Sequence, residues 1–454
     1  MSDNILKILH SGKDNFVGIR FEKSMPRIYF PIGYNIENHD INLSNKEERE
    51  KVKIVRKDIL LMLRTLNKYM NKNSEEENEI KEGLEQTKSF PFFNLYELLR
   101  DFLEDGYYQE RESIYKIGNS GKINWSRTIK RQRPIMQGDS FIYTKFIINK
   151  NEVNSNSIIR LIHEYCVYES NLLIGFLFGN IELNHPKIEY NKELFLGVLK
   201  SKLTEIFDDK KRKIILNMIK IVMWLGDEDS NYTINEFGTY NYQTIWEKMI
   251  DVMFKERDKN EFYPTGKLYI NYIKAPTTNL RIDSIYINKE KIYIVDAKYY
   301  KYGISNRPNE SLTNNDSYNL PGFSDINKQI SYAEYVEYKY NQNRKIFFPL
   351  EEKEGVKISE RIKNLFILPY DKEHNEFATS DIVHYIGYGV SDWKDEIIGE
   401  EKGYNKVHIF LFDTKTLIEC CDSVSDERID DEIRKLELVV GQYEKKVESM
   451  LNIL

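Results

Sequence analysis

Between Leu280 and Lys298 the chain writes two short apolar runs around a polar turn, and no other stretch limits its fold and chemistry so tightly. Leu280-Arg281-Ile282-Asp283-Ser284-Ile285-Tyr286-Ile287 is followed by Asn288-Lys289-Glu290-Lys291, and then by Ile292-Tyr293-Ile294-Val295-Asp296-Ala297-Lys298. β-Branched and aromatic residues on both sides of a short polar segment predict a β-hairpin. If Ile287 pairs with Ile292, Asp283 lies four residues before the first and Asp296 four residues after the second. The two carboxylates then oppose each other across the ribbon, with Cβ atoms roughly 4.5–5.5 Å apart. Carboxylates that close repel, and a hard divalent cation with oxygen ligands removes the conflict. Mg²⁺ suits short carboxylates together with water and phosphate, and Mn²⁺ is the alternative. Lys298 follows Asp296 by two residues, which on a strand places both side chains on one face. A metal site beside an ammonium group meets the needs of phosphodiester hydrolysis: a positioned water and a cation facing a phosphate oxygen.

The chain is long enough, at 454 residues, for two or three domains with ample core. Apolar residues make up 41% and charged residues 30%, a folded and soluble composition rather than a disordered one. No run reaches membrane-spanning length, and the opening MSDNILKILHSGKDN lacks a signal-peptide core, so the expected compartment is the cytoplasm. Cys166, Cys420 and Cys421 form neither a disulfide framework nor a zinc pattern, and the adjacent pair is expected buried at a strand end. With a net charge of −6, any contact with nucleic acid must come from a local patch.

Along the chain, Phe16-Val17-Gly18-Ile19 and Ile28-Tyr29-Phe30-Pro31 read as strands. Ile54, Ile59, Leu60, Leu63, Leu66 and Met70 recur at helical spacing, an acidic connector covers 71–82, and a second amphipathic stretch runs from Phe92 to Leu103. Residues 113–138 hold Lys116, Lys122, Arg127, Lys130, Arg131 and Arg133 with no Asp or Glu, interleaved with Tyr115 and Trp125. Such a segment can neutralise phosphates and stack on bases, can dock a partner protein, or can be a solvated surface. Residues 157–225 read as helical. From about 240 the pattern alternates helix and strand, and 427–454 has the spacing of a closing helix. The expected organisation is a mixed α/β region facing partner or DNA over 1–150, a helical region over 151–235, a catalytic α/β domain over 236–424 and a C-terminal helix over 425–454. The expected fold class is α+β or α/β, multidomain.

Asp283 followed after twelve residues by Asp296-Ala297-Lys298 resembles the core of the PD-(D/E)xK nucleases, with Ile282 where that superfamily often has proline. The resemblance implies a restriction-endonuclease-like domain over 236–424, a mixed central sheet flanked by helices. It also implies a metal-side glutamate on the preceding helix, which Glu247 matches, and a glutamine on the helix after the hairpin, which Gln329 matches. An ordinary surface glutamate and a buried polar helix residue are the plainer readings of those two. The tyrosine expected four residues after the glutamine is absent: position 333 is Ala, with Tyr332 beside it. Ser324 or Asp325 is the expected cap of that helix.

Trp246-Glu247, Asp283, Asp296-Ala297-Lys298, Pro321-Gly322-Phe323-Ser324-Asp325-Ile326-Asn327-Lys328-Gln329 and Gly121-Lys122-Ile123-Asn124-Trp125-Ser126-Arg127-Thr128 together resemble the LlaJI-type restriction endonucleases. Asn364-Leu365-Phe366-Ile367-Leu368-Pro369 and Phe16-Val17-Gly18-Ile19 fit the same pattern. That resemblance implies an McrC-like subunit of a bacterial restriction system. Its site would comprise Asp283, Asp296, Lys298, Glu247 and Gln329, with Asp283, Asp296 and Glu247 on Mg²⁺. Its partners would be double-stranded DNA and a separate AAA+ GTPase, with pairing of two nuclease domains for a double-strand cut. Lys122, Trp125, Arg127, Lys130, Arg131 and Arg133 would contact nucleic acid or partner. The products would carry 5′-phosphate and 3′-hydroxyl ends.

The chain lacks GxxxxGK[ST]: the Gly-Lys pairs at 12–13, 121–122 and 266–267 continue with Asp, Ile and Leu. A nucleotide-hydrolysing P-loop is thereby excluded. His163, His384 and His408 stand singly and read as structural. Two other readings stay open: a repair or recombination nuclease that recognises DNA structure, and an assembly factor whose main task is to stimulate an AAA+ GTPase.

Overall fold

The computed structural model describes residues 5–11, 15–22, 25–37, 39–43, 45–70, 90–153, 157–179, 181–226, 235–254, 259–270, 273–276, 279–302, 319–395 and 402–422. The acidic connector at 71–82 and the closing helix at 425–454 lie outside them. Mixed sheets flanked by helices make the fold α+β. The chain forms two compact units: Met1–Ser44, Ile54–Thr87 and Gly238–Leu454 make the first, and Asn45–Lys53 and Lys88–Phe237 the second. These units group residues by contact, whereas the expected segments with boundaries at 150, 235 and 424 follow the chain.

The first unit begins with a small sheet of β1 (Ile5–His10), β2 (Val17–Glu22), β3 (Met25–Phe30) and β4 (His39–Asn42). β1 runs parallel to β3, while β2 and β4 pair antiparallel to β3 and β1. The strand β1 escapes sequence reading because Ile5–His10 is short and carries Lys7 and His10 among its apolar residues; its alternating burial appears only when Leu6 and Ile8 pack inward. Helix α1 (Lys46–Met70) starts before the expected Ile54.

In the second unit, α2 (Phe92–Asp105) is followed by β5 (Arg111–Ile117), β6 (Lys122–Ile123), α3 (Trp125–Arg131), β7 (Ile135–Gln137), β8 (Ser140–Ile142) and β9 (Ile147–Val153). Helices α4 (Ile158–Ile174), α5 (Lys192–Glu205) and α6 (Asp209–Leu225) complete it, as the periodicity over 157–225 requires. The basic stretch 113–138 is therefore built structure. Asn124 caps α3 by accepting the Arg127 N–H at 3.0 Å, and buried Thr128 accepts the Ile147 N–H at 2.9 Å, tying α3 to β9. The Arg127 guanidinium lies 3.8 Å from the centre of the Tyr115 ring.

The chain enters the first unit again along β10 (Asn235–Thr239) and continues with α7 (Tyr242–Phe254), β11 (Lys267–Ile270) and β12 (Ile273–Pro276). Then come β13 (Ser284–Ile287), β14 (Ile292–Ala297), α8 (Phe323–Gln342), β15 (Ile362–Tyr370), β16 (Val383–Gly389), β17 (Val407–Asp413) and α9 (Thr414–Asp422). The main sheet has the order β13-β14-β15-β17-β16. Its inner strands β14, β15 and β17 are parallel, and its edge strands pair antiparallel. Inner parallel strands are covered on both faces, which explains why β14 and β15 are apolar almost throughout.

The two faces are separable residue by residue. Ile285, Ile287, Ile292 and Ile294 pack with Ile330, Ala333 and Val336 of α8. Residues alternate along a strand, so Ser284, Tyr286 and Tyr293 point the other way. There Tyr286 meets Phe254 of α7, with ring centres 6.3 Å apart, and Tyr293 at 6.0 Å. The small sheet reaches this body through Ile32, whose N–H donates to Tyr299 Oη at 2.8 Å and whose carbonyl accepts the Thr414 hydroxyl at 2.9 Å. Gly33 sits there at φ +73°, and an added Cβ would lie 2.8 Å from the Tyr370 nitrogen, so the approach requires glycine. Cys420 and Cys421 are buried, but on α9 rather than at the expected strand end.

Candidate active site

The hairpin forms in the expected register: Ile287 pairs with Ile292 and Ser284 with Val295. Asn288 sets the turn by accepting the N–H groups of Glu290 and Lys291 at 2.8 and 2.6 Å. Arg361 braces it from outside, donating to the carbonyls of Glu290 at 2.6 Å and Lys289 at 3.0 Å. One step past the last ladder pair, Asp283 comes opposite Asp296. Asp283 Oδ2 accepts the Ala297 N–H at 2.9 Å. Both carboxylates fall on the face covered by α8, because they continue the alternation of Ile285, Ile287, Ile292 and Ile294.

Electrostatics follow from burial. Asp296 is only 5% exposed. Desolvation, then the charge and hydrogen bonding of Asp296, then Glu247, push the Asp283 carboxyl well above the usual carboxylate range. Burial and the neighbouring carboxylates therefore both disfavour charge on Asp283. Lys298 lies just beyond β14, its N–H donating to the Ile367 carbonyl at 2.9 Å. Its ammonium is 3.0 Å from Asp296 Oδ2 and 2.9 Å from Asp325 Oδ1. Burial works against that charge, but Asp296 and Asp325 outweigh it and hold the Lys298 pKa above the ordinary lysine value. Asp296 Oδ2 is buried without an aligned hydrogen bond, so its contact with Lys298 is an ion contact of close distance and poor direction.

Glu247 projects from α7 at the margin of the apolar face formed by Tyr242, Ile245, Trp246, Met249 and Ile250. Gln243 donates to its Oε1 at 2.9 Å. Burial first, and the nearby Asp296 as well, raise its pKa. Among the described residues no three His, Cys, Asp or Glu side chains converge as a metal cluster. Glu247 thus shares the electrostatic field of the hairpin carboxylates without joining them in one tight group. Gln329 is fully buried on α8 and donates through Nε2 to the Ile294 carbonyl at 2.7 Å. Its Oε1 has no hydrogen-bond partner among the described residues.

Three contributions escape the sequence reading. Tyr332 donates its hydroxyl to the Arg281 carbonyl, and burial, Asp296 and Asp283 all raise its pKa, so it borders the carboxylates from α8. Lys259 donates to the Asp283 carbonyl at 2.7 Å and pairs with Asp251 at 2.9 Å, and Asp251 also accepts the Ser284 hydroxyl at 3.0 Å. These three fix the backbone where β13 starts. Asp325 is not the helix cap: Gly322 is, and Asp325 accepts the Gly322 N–H at 3.0 Å from the first turn. A glycine cap leaves no side-chain signal, while Ser324 and Asp325 advertise one.

The basic candidates Lys122, Trp125, Arg127, Lys130, Arg131 and Arg133 belong to the second unit. Trp125, Ile129, Ile135, Met136, Phe141 and Ile142 are all exposed there. His163 is buried in the same unit, its Nδ1 accepting the Tyr108 N–H at 3.0 Å. His408 meets Tyr385 Oη at 3.2 Å. No helix among the described residues is long and apolar enough to cross a membrane.

The two hairpin carboxylates fit a hard cation: both are short oxygen donors, one has a buried oxygen without an aligned partner, and their repulsion calls for positive charge. Comparison with known proteins gives a consistent setting. The chain is 25% identical over 255 residues to the type II restriction enzyme BsuMI component YdjA of Bacillus subtilis (strain 168), a match covering 51% of each protein. It thus spans about half the length of that curated relative. Among solved structures, a chain of the refined half-complex of Thermococcus gammatolerans McrB AAA+ hexamers with bound McrC matches at 12% identity and TM-score 0.35, covering 93% of this chain and 83% of that one. A chain of the Thermococcus gammatolerans McrBC complex matches at 12% identity and TM-score 0.24, covering 54% and 69%. Superpositions that loose fix neither fold nor function. The family model of the LlaJI restriction endonuclease matches residues 35–389, well over half of the sequence and including the whole hairpin, and the chain belongs to that family.

Proposed function

We propose that the chain is the DNA-cutting subunit of a bacterial restriction system acting against phage, with a PD-(D/E)xK site on the β13–β14 hairpin. The observation that carries this reading is the opposed pair of Asp283 and Asp296 with the Lys298 ammonium 3.0 Å from the second carboxylate. Asp283 and Asp296 would hold Mg²⁺, or Mn²⁺ in its place. Glu247 would add its negative charge to the same site from α7. A divalent cation held there supplies the positive charge that polarises a phosphodiester and makes water a better nucleophile. Lys298 faces the charge that develops on the phosphate oxygen and stabilises it. Gln329 and Tyr332 fix the α8 side, and Lys259, Asp251 and Ser284 fix the strand entry. Family membership supports cleavage of DNA; the buried, repelling carboxylates support its dependence on a cation.

Because the sequence has no P-loop, any nucleotide hydrolysis in the system belongs to a separate polypeptide, which we take to be an AAA+ GTPase. The exposed helix α3 and hairpin β7–β8, with Lys122, Trp125, Arg127, Lys130, Arg131 and Arg133, are the surface assigned to that partner or to DNA. One hairpin site cuts one strand, so a double-strand break calls for two copies. The assembly-factor reading draws on the same exposed surface. The repair-nuclease reading has no observation of its own.

Incubation of supercoiled plasmid with Mg²⁺, alone and with the GTPase, tests the proposal. Asp296→Ala and Lys298→Ala are expected to lower cleavage at least a hundredfold, in line with the loss of a charge-stabilising group, while circular dichroism stays that of the parent. Full cleavage by both variants would remove the site assignment. GTPase stimulation without any cleavage would favour the assembly factor.

A further inference from the structure

Lys298 answers to two carboxylates, and only one belongs to the hairpin. Asp325 sits in the first turn of α8, far along the chain from the Asp296-Ala297-Lys298 motif. Both of its oxygens are engaged: Oδ1 with the Lys298 ammonium at 2.9 Å, Oδ2 with the Gly322 N–H at 3.0 Å. The Lys298 side chain is 11% exposed and that of Asp325 23%, so charge competes with charge through little water. On the other flank, the ammonium touches Asp296 Oδ2 at 3.0 Å without hydrogen-bond alignment. The aligned bond goes to Asp325.

Resting on the metal-site reading above, we propose that Asp325 is a positioning residue that draws the Lys298 ammonium away from Asp296 and thereby keeps Asp296 open to a divalent cation. Ammonium and metal ion compete for the same buried oxygen. With Asp325 charged, the ammonium is shared and Asp296 retains negative charge for the metal. With Asp325 neutral, the ammonium has one carboxylate left and settles on it. Asn at 325 keeps an oxygen for the Gly322 N–H, so the start of α8 survives while the charge is lost.

Mn²⁺ binding, followed by electron paramagnetic resonance of the free ion, separates the possibilities. Asp325→Asn is expected to weaken binding about tenfold or more, the usual cost of losing an outer partner of a metal site. Asp325→Glu should recover most of it. In a Lys298→Met background, Asp325→Asn should have no effect, because no ammonium remains to be steered; a merely structural role would persist there. If Asp325→Asn fails to fold, Asp325→Ser is read in the same way. Unchanged Mn²⁺ affinity in Asp325→Asn, together with loss of binding in Asp283→Asn, overturns this inference and leaves the metal site standing. Absence of binding in the parent protein, or binding indifferent to Asp283→Asn, overturns the metal site and this inference with it.

Discussion

Asp283 is under opposite demands: the proposed metal site needs its charge, and its burial beside Asp296 penalises that charge. The folded chain holds the Asp283 proton to higher pH than the unfolded chain, in which an aspartate titrates near 3.9. Between those values the native state binds more protons, so this residue's contribution to stability falls as pH rises through the folded pKa. Asp283→Asn is expected to raise the thermal midpoint of the metal-free protein at pH 7–8 and to flatten its decline with pH. Thermal unfolding across pH reads it, and a less stable variant would contradict it. His163 has the opposite sign. Burial, with Arg160 nearby, pushes its pKa down to about 4. The unfolded chain therefore takes up the proton first, and stability is lost as pH falls from about 6.5 toward 4. His163→Gln should show a shallower acid decline over that window by hydrogen exchange of α4 amides.

Among the elements, the hairpin was the most legible, because a period of two, a polar turn and β-branched runs all agreed on one register. Glu247 was legible as the edge of a helical stripe, and its partly buried place on α7 agrees with that. The start of α8 was misread, since Gly322 caps it through backbone alone. The folded nature of 113–138 was hidden because its strands are short and outward-facing, leaving charge as the dominant signal. Gln329 was visible as a polar residue on an apolar face, but its tie to the Ile294 carbonyl depends on how α8 crosses β14. Gln329→Met, of similar volume, is expected to cost about 1 kcal/mol for the lost hydrogen bond, measurable by urea unfolding. A loss several times larger would mean that Gln329 organises more of the core than this bond.

For the whole molecule, the grouping of Met1–Ser44 with Gly238–Leu454 was not legible, because no local pattern records which distant segments meet. Ile32 and Gly33 show why: their partners Tyr299, Thr414 and Tyr370 lie hundreds of residues later. Since a bound cation would favour the folded first unit, Mg²⁺ or Mn²⁺ at a hundred times its dissociation constant is expected to stabilise it by about 2.7 kcal/mol. Differential scanning calorimetry should show the rise in the parent protein and its loss in Asp283→Asn.

The order of synthesis gives that grouping a further meaning. A ribosome delivers the first strands early, then Lys88–Phe237 of the second unit, and only afterwards the β13–β14 hairpin and the helix bearing Thr414. Nascent or prematurely terminated copies thus lack the late partners that seat the early sheet.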